Sequence, residues 1–415
     1  MSTAPDLRHS LIDQTIRAVA EHGVEGISLR AITANAGCST AAVFQYFGNK
    51  AGLIDEAMKR ALEDDIRVHN QFAETTAGLV LHHQRFADQL AFYIEQRSNS
   101  ISARFWSEIL FKSGQIPQAS AHLRSWHAMR IDFWRSRLLQ SNGNPNLAPI
   151  LACYCTMEEA YAYALGGRLE YSLMLRETAT AITANSFSNN GATQSSEISK
   201  WLDRSAQRFE VSTTSERNAL SQGLLDLAAK HIINHGVDAL TQRKITKLAG
   251  TSSAMIAYHF GNLDAFVNEA IWRALAIDIP NEVHPFIEGG RKQTSLPQWA
   301  GLLTKFIVPA RESQTGRNGF FIGVARILGQ TALLVKRRQE LQPIVDHMRK
   351  FEGRGSYTAS QTIWPPNLKI SRATAAAFAV WIKGQAIVNE ALADTGNHTE
   401  CLLDAASLVF GVQKQ

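Results

Sequence analysis

Cysteine is scarce. Four residues, Cys38, Cys153, Cys155 and Cys401, in a chain of 415 cannot build a disulfide framework, and Cys153-x-Cys155 lacks the second pair or the histidine that a zinc site requires. They read as small buried hydrophobes. Long apolar runs are missing too: the longest, Ala375 to Ile382, is eight residues, against about 18 to 20 for a membrane helix. The opening MSTAPDLRHS holds no apolar stretch between a basic start and a small-residue cleavage site, so no secretory signal is expected and the cytoplasm is the expected compartment. Charge of one sign is in small excess, 42 basic against 37 acidic side chains, and the surplus gathers in the last third, around Lys336-Arg337-Arg338 and Arg349-Lys350. Catalytic signatures are absent: there is no Gly-x-Ser-x-Gly, Gly-x-x-x-x-Gly-Lys, His-Glu-x-x-His or Gly-x-Gly-x-x-Gly. Glu158 and Glu159 are adjacent, hence on different helix faces. The thirteen histidines show no metal-ligand spacing and read as surface residues. Neither an enzyme nor a cofactor or metal is expected.

What is present is a repeat. His22 to Leu62 lies without a gap on His235 to Leu275, an offset of 213 residues, with 18 of 41 positions identical; chance would give roughly two or three. Self-similarity at one offset reports a tandem duplication before any element is assigned. Fainter echoes follow: Arg104 to Leu110 lies on Ile322 to Leu328 at offset 218, and Met129-Arg130 on Met348-Arg349 at 219. Between the copies, a segment rich in Ser, Asn and Thr reads as a linker, with Ile198, Trp201, Leu202 and Phe209 at the spacing of a short amphipathic helix.

Within the unit, Leu7, Leu11, Ile16, Val19 and Ala20 predict a helix over about 6–22, closed by Gly23. Ser28 occupies an N-cap position before a second helix that Gly37 stops. Ser39 is expected to cap a third short helix, Thr40 to Phe47, ended by Gly48, and Asn49 a longer fourth. Two short helices joined by a tight turn form a helix-turn-helix, whose second helix enters the major groove of DNA. Its short or planar side chains suit that groove: Thr40, Ala42, Phe44, Gln45 and Tyr46. Gln45 can pair with an adenine edge, and Ala42 or Thr40 can touch a thymine methyl. The hydroxyls of Ser28, Ser39 and Tyr46 suit phosphate oxygens. Arg30, and Lys50 beside free helix amides, add positive charge.

The stretch AGCSTAAVFQYFGNKAGL resembles the DNA-binding signature of the TetR family of bacterial transcriptional regulators, through Gly37, Ser39, Val43, Phe44, Tyr46, Phe47, Lys50 and Leu53. Phe44 stands where the family usually has Tyr. AGTSSAMIAYHFGNLDAF resembles it through Gly250, Ser252, Ile256, Phe260 and Phe266, but has Ala257 and Leu263 at the Tyr and Lys positions. By the same offset, Thr241, Ser252, Ser253, Met255, Tyr258 and His259 are the second copy's expected DNA contacts, and Arg243, Lys244 and Lys247 supply charge there.

The expected fold is all-α, a duplicated helix-turn-helix domain plus helical-bundle regulatory domain: 6–62 and 63–185, a linker 186–215, then 216–275 and 276–415. Segments 102–112, 121–140, 147–166 and 373–393 have bundle-helix lengths. The resemblance implies an apolar or aromatic effector between helices. Candidate lining residues are Trp106, Trp126, Phe133, Trp134, Tyr154 and Tyr161 in the first half, and Phe320, Phe321, Met348, Phe378 and Trp381 in the second. Family members ordinarily pair as homodimers through their last two helices. Here the expectation is an internal pseudo-dimer, 147–185 packed on 368–410, that reads an asymmetric operator and responds to ligand, most simply as a repressor. Two alternatives are a sensor or scaffold whose second helix-turn-helix contacts protein, and a homodimer of the duplicated chain with four reading heads.

Overall fold

The computed structural model describes residues 4–116, 118–187, 198, 200–201, 218–276, 294–309 and 319–412. Every regular element among them is helical and none is a strand, so the all-α expectation holds. In chain order, the first half runs α1 (Ala4–Gly26), α2 (Leu29–Asn35), α3 (Ala41–Phe47), α4 (Lys50–Thr75), α5 (His83–Arg97), α6 (Ile101–Phe111), α7 (Ala119–Gln140), α8 (Ala148–Leu165) and α9 (Leu169–Thr183). The second runs α10 (Ala219–His235), α11 (Gln242–Ala249), α12 (Ser253–Phe260), α13 (Leu263–Ala276), α14 (Leu296–Ile307), α15 (Phe320–Leu334), α16 (Gln342–Phe351), α17 (Arg354–Thr362), α18 (Arg372–Leu392) and α19 (His398–Phe410). Of the expected linker helix, Ile198 and Trp201 are helical, with Trp201 beneath the Lys350 ammonium at 5.8 Å; Leu202 and Phe209 lie outside the described residues.

The repeat is visible in the backbone. Gly23, at φ 74° and ψ 165°, breaks α1 where the sequence places its stop, and Gly236, 213 residues later, has φ 87° and ψ 166°. A side chain at either position would be forced into a left-handed conformation that only glycine takes at low cost. Each copy then closes a small core: Leu11, Val19, Ile32, Val43, Leu53 and Ala57 in head one, Leu225, Ile232, Ile245, Ile256, Phe266 and Ala270 in head two. The caps differ from expectation in head one. Ser28 holds the N-cap position without a side-chain hydrogen bond; α3 begins at Ala41, and Thr40, not Ser39, precedes it, again with no side-chain cap. In head two Thr241 and Ser252 do cap, accepting from the amides of Lys244 and Met255. Asn49 caps α4 through the Gly52 amide at 2.9 Å.

Two helices are buried on nearly all sides, α8 and α18, and a helix apolar all round belongs at the centre of a large assembly of helices. They pack against each other, with α15 against both and α9 against α18. Gly384 makes the approach possible, because a β-carbon there would overlap the Cys153 carbonyl oxygen. Asn185 ties the end of the first half to α19, donating to the Val409 carbonyl at 2.7 Å. Helix α4 runs unbroken through residue 62, so head one and the first bundle share a helix.

Candidate nucleic-acid interface

Helix α3 turns Val43 into the core of head one and leaves Phe44 and Gln45 exposed. Ala42 and Tyr46 lie part-way in, packed against that core. Ser28, Arg30 and Ser39 are exposed and Thr40 is half-buried. Lys50 is half-buried and its ammonium donates to the Ile27 carbonyl at 3.2 Å, so it pins the start of α4 to the turn before α2. Its charge still lies beside the α4 N-terminus, where backbone amides and dipole favour an anion.

Head two presents the equivalent surface in different chemistry. Ile256 and Phe260 are buried, whereas Met255 and Tyr258 are exposed, Tyr258 at 82%. His259 is half-buried, its Nδ1 3.0 Å from the Ser221 hydroxyl, so this ring braces α12 against α10. The Ser253 side chain lies outside the described ones. Thr241 and Ser252 spend a hydroxyl lone pair on their caps. Arg30, Arg243, Lys244 and Lys247 are exposed and form no ion pair among the described residues, which leaves their charge available to a polyanion. Three cations on one turn of α11 replace the single Arg30 of α2.

Most of the expected effector-pocket residues are buried in cores, whereas Phe320 and Phe321 are half-buried against one. Trp106 and Trp126 are buried and stacked, ring centroids 5.5 Å apart. Phe133 and Trp134 join Tyr93 in an aromatic cluster, and the buried Tyr154 hydroxyl lies 2.8 Å from that of Thr178. In the second half Phe378 packs on Trp381 and Trp299, Phe320 and Phe321 on Phe306, and Met348 is buried. Tyr161 donates to the Glu352 carboxylate at 2.5 Å across the halves. A cleft of about 610 Å³ opens elsewhere, with a mixed lining of polar and apolar groups that includes Glu95, Asn99, Tyr163, Arg168, Leu169 and Lys336.

Sequence reasoning missed the buried charges. Glu159 accepts from Arg130 of its own half at 2.6 Å, and Glu158, on the next face, from Arg349 of the other half at 3.0 Å. Glu352 takes Lys383 at 2.5 Å as well as Tyr161. The available signal was two glutamates embedded in the otherwise apolar CYCTMEEAYAYAL of α8. The reading of histidines as surface residues is also corrected: His69, His127, His231 and His398 are buried. Each lies on a helix face turned inward, where burial rather than residue type decides position. Among the described residues no group of three or more His, Cys, Asp or Glu is placed to hold a metal ion, and no helix is long and apolar enough to cross a membrane.

Residues 11–57 and 224–270 each match the model of the bacterial regulatory proteins, tetR family. The chain carries two TetR-type helix-turn-helix segments in tandem. Curated relatives include the HTH-type transcriptional regulators BetI of Burkholderia thailandensis and Burkholderia cenocepacia, each 40% identical over 57 residues, covering 14% of this chain and 29% of the relative. The match thus spans less than a third of those relatives' length. Both TetR-type matches cover α2 and α3 or their counterparts α11 and α12, the elements that carry the exposed residues above.

Proposed function

We propose that the protein is a sequence-specific DNA-binding transcriptional regulator that acts as a covalent pseudo-dimer on an asymmetric operator, most simply as a repressor relieved by a small ligand. The observation that carries this reading is one chain presenting two helix-turn-helix units whose outward residues differ, Phe44 and Gln45 on one and Met255 and Tyr258 on the other. An operator mirrors the symmetry of its reader, and two unlike reading helices call for two unlike half-sites. The packing of α8 on α18 supports an internal pairing of the halves, since the tether raises their effective concentration to roughly millimolar or above. Ser28, Arg30, Ser39, Thr40, Ala42, Tyr46 and Lys50, with Thr241, Arg243, Lys244, Lys247, Ser252, Ser253 and His259, complete the proposed DNA-facing set. A ligand held between helices of one half would shift its head relative to the other, a coupling typically worth about 1–3 kcal/mol.

Selection of binding sites from random DNA tests this. The expected pool contains two different half-sites, and Gln45→Ala weakens binding by about 1–3 kcal/mol while relaxing selectivity in one of them. Equal relaxation in both half-sites would sink the proposal. The exposure of Leu248, Met255 and Tyr258 favours a second reading, in which the second unit contacts protein. A selected pool with a single half-site is the outcome that reading expects.

A further inference from the structure

Both heads leave their first helix through equivalent turns, His22-Gly23-Val24-Glu25 and His235-Gly236-Val237-Asp238, in which Glu25 and Asp238 correspond at the 213-residue offset. Lys112, the residue after α6, sends its ammonium between these two carboxylates. It lies 3.0 Å from Asp238 Oδ2 and 3.7 Å from Glu25 Oε1, with its side chain 4% exposed. Groups from the second half close the same space. Arg337 donates to Glu108 of α6 at 3.2 Å and stands 3.9 Å from Asp238. A β-carbon on Gly23 would come 2.8 Å from the Arg337 guanidinium, so this guanidinium rests directly on the turn of head one. Gln330 corresponds to Lys112 at the 218-residue offset. It accepts from the Val237 amide at 3.3 Å and donates to the Phe111 carbonyl at 3.0 Å. The pseudo-symmetry is therefore broken in charge, because one copy supplies a cation where the other supplies a neutral amide.

We propose that Lys112 fixes the separation of the two heads and is a positioning residue for half-site spacing, touching both heads and no DNA. The inference rests on the DNA-binding reading above. An ammonium shielded from water and placed between two carboxylates attracts both through a low effective dielectric. Without it Arg337 would still meet Glu108 and Asp238, but Glu25 of head one would lose its cation facing Asp238 of head two, and the two turns would move apart. The carboxylates belong to different heads, so the loss appears as slack between the heads rather than as damage to either.

The test measures affinity of the full chain for its selected operator with the spacer between half-sites shortened or lengthened by one base pair. Such a change is expected to cost the wild type on the order of tenfold in affinity, Lys112→Met roughly twofold, and Lys112→Arg, which keeps the charge, as much as the wild type. Should Lys112→Met fail to fold, the combined Glu25→Gln and Asp238→Asn chain removes the same attraction from its more exposed side and is expected to tolerate the altered spacers equally. A folded Lys112→Met chain, or a folded Glu25→Gln and Asp238→Asn chain, as strict about spacing as the wild type would overturn the proposal and leave the DNA-binding reading intact. A wild-type chain that selects no DNA sequence would overturn both.

Discussion

Asp65 lies without side-chain exposure among three donors: the Arg97 guanidinium, the Trp126 indole at 2.8 Å and the Ser102 hydroxyl at 3.4 Å. Burial opposes its ionisation, yet the charge and hydrogen bonds of Arg97, with the Trp126 indole, outweigh burial and hold its carboxyl below the usual range. His69 sits in the same cluster, its Nδ1 2.7 Å from the Asp65 carbonyl and its Nε2 2.8 Å from the Tyr93 hydroxyl. A carbonyl can only accept, so Nδ1 carries the proton and Nε2 accepts from tyrosine. Burial, and then the charge of Arg97, push His69 down to about 4; burial and then Arg130 push His127 down to about 4. Both rings stay neutral in the folded chain but titrate near 6.5 once unfolded. Between those values the unfolded chain binds more protons, so stability is full above about pH 6.5 and is lost as pH falls towards 4. Glu108 acts in the opposite sense: burial raises it to about 7, and stability is lost as pH rises from its unfolded value through 7. Comparing urea unfolding of the wild type and His69→Gln isolates one group. The loss between pH 7.5 and pH 5 is expected to shrink by about 2 kcal/mol in the variant, and an unchanged loss would refute the assignment.

The contact of α8 with α18 turns on an absent side chain. In a helix interior alanine is favoured over glycine by about 1 kcal/mol, so Gly384→Ala at an open position would raise the melting temperature. At this position the added carbon would overlap the Cys153 carbonyl, and overpacking a close-packed interior typically costs about 1–3 kcal/mol. Steric overlap with backbone is the larger effect, and the expected melting temperature of Gly384→Ala is below that of the wild type; a rise would show that the two helices yield freely. Such a role was illegible in sequence, where Gly384 is one glycine in an apolar helix whose partner lies more than two hundred residues away. What could be read was whatever repeats or has a local period: the paired heads through offset 213, the stops at Gly23 and Gly236, the inward Val43 and Ile256, and the lengths of α6, α7, α8 and α18. Caps were only partly legible, since Ser28 has the right residue type but its side chain makes no cap bond. The partners of Glu158, Glu159 and Lys112 depend on helices far apart in sequence, and no local pattern encodes them. At the candidate interface, the helix-turn-helix assignment and the repeat offset picked out Phe44, Gln45 and Tyr258, which are exposed, whereas the packing of Tyr46 and His259 against their heads required the neighbouring helices.

At the scale of the molecule, the proposed pseudo-dimer makes a prediction about mass. Light scattering of the purified chain with DNA from its own upstream region is expected to give one chain of 45.8 kDa per fragment. Two chains per fragment would mean that the halves pair between molecules, and a palindromic operator would then be expected. The buried link between Glu158 and Arg349 also has a consequence in time. The two residues are 191 positions apart, and synthesis proceeds at about 5–20 residues per second. Roughly 10–40 seconds therefore pass on the ribosome between the two residues. During that interval α8 has its first-half neighbours but lacks α15, α16 and α18, so the apolar face they cover is open and Glu158 is without its guanidinium. The first half is made early but finished late, so nascent chains stalled between the two units would be the form of this protein most prone to aggregate and most dependent on chaperones.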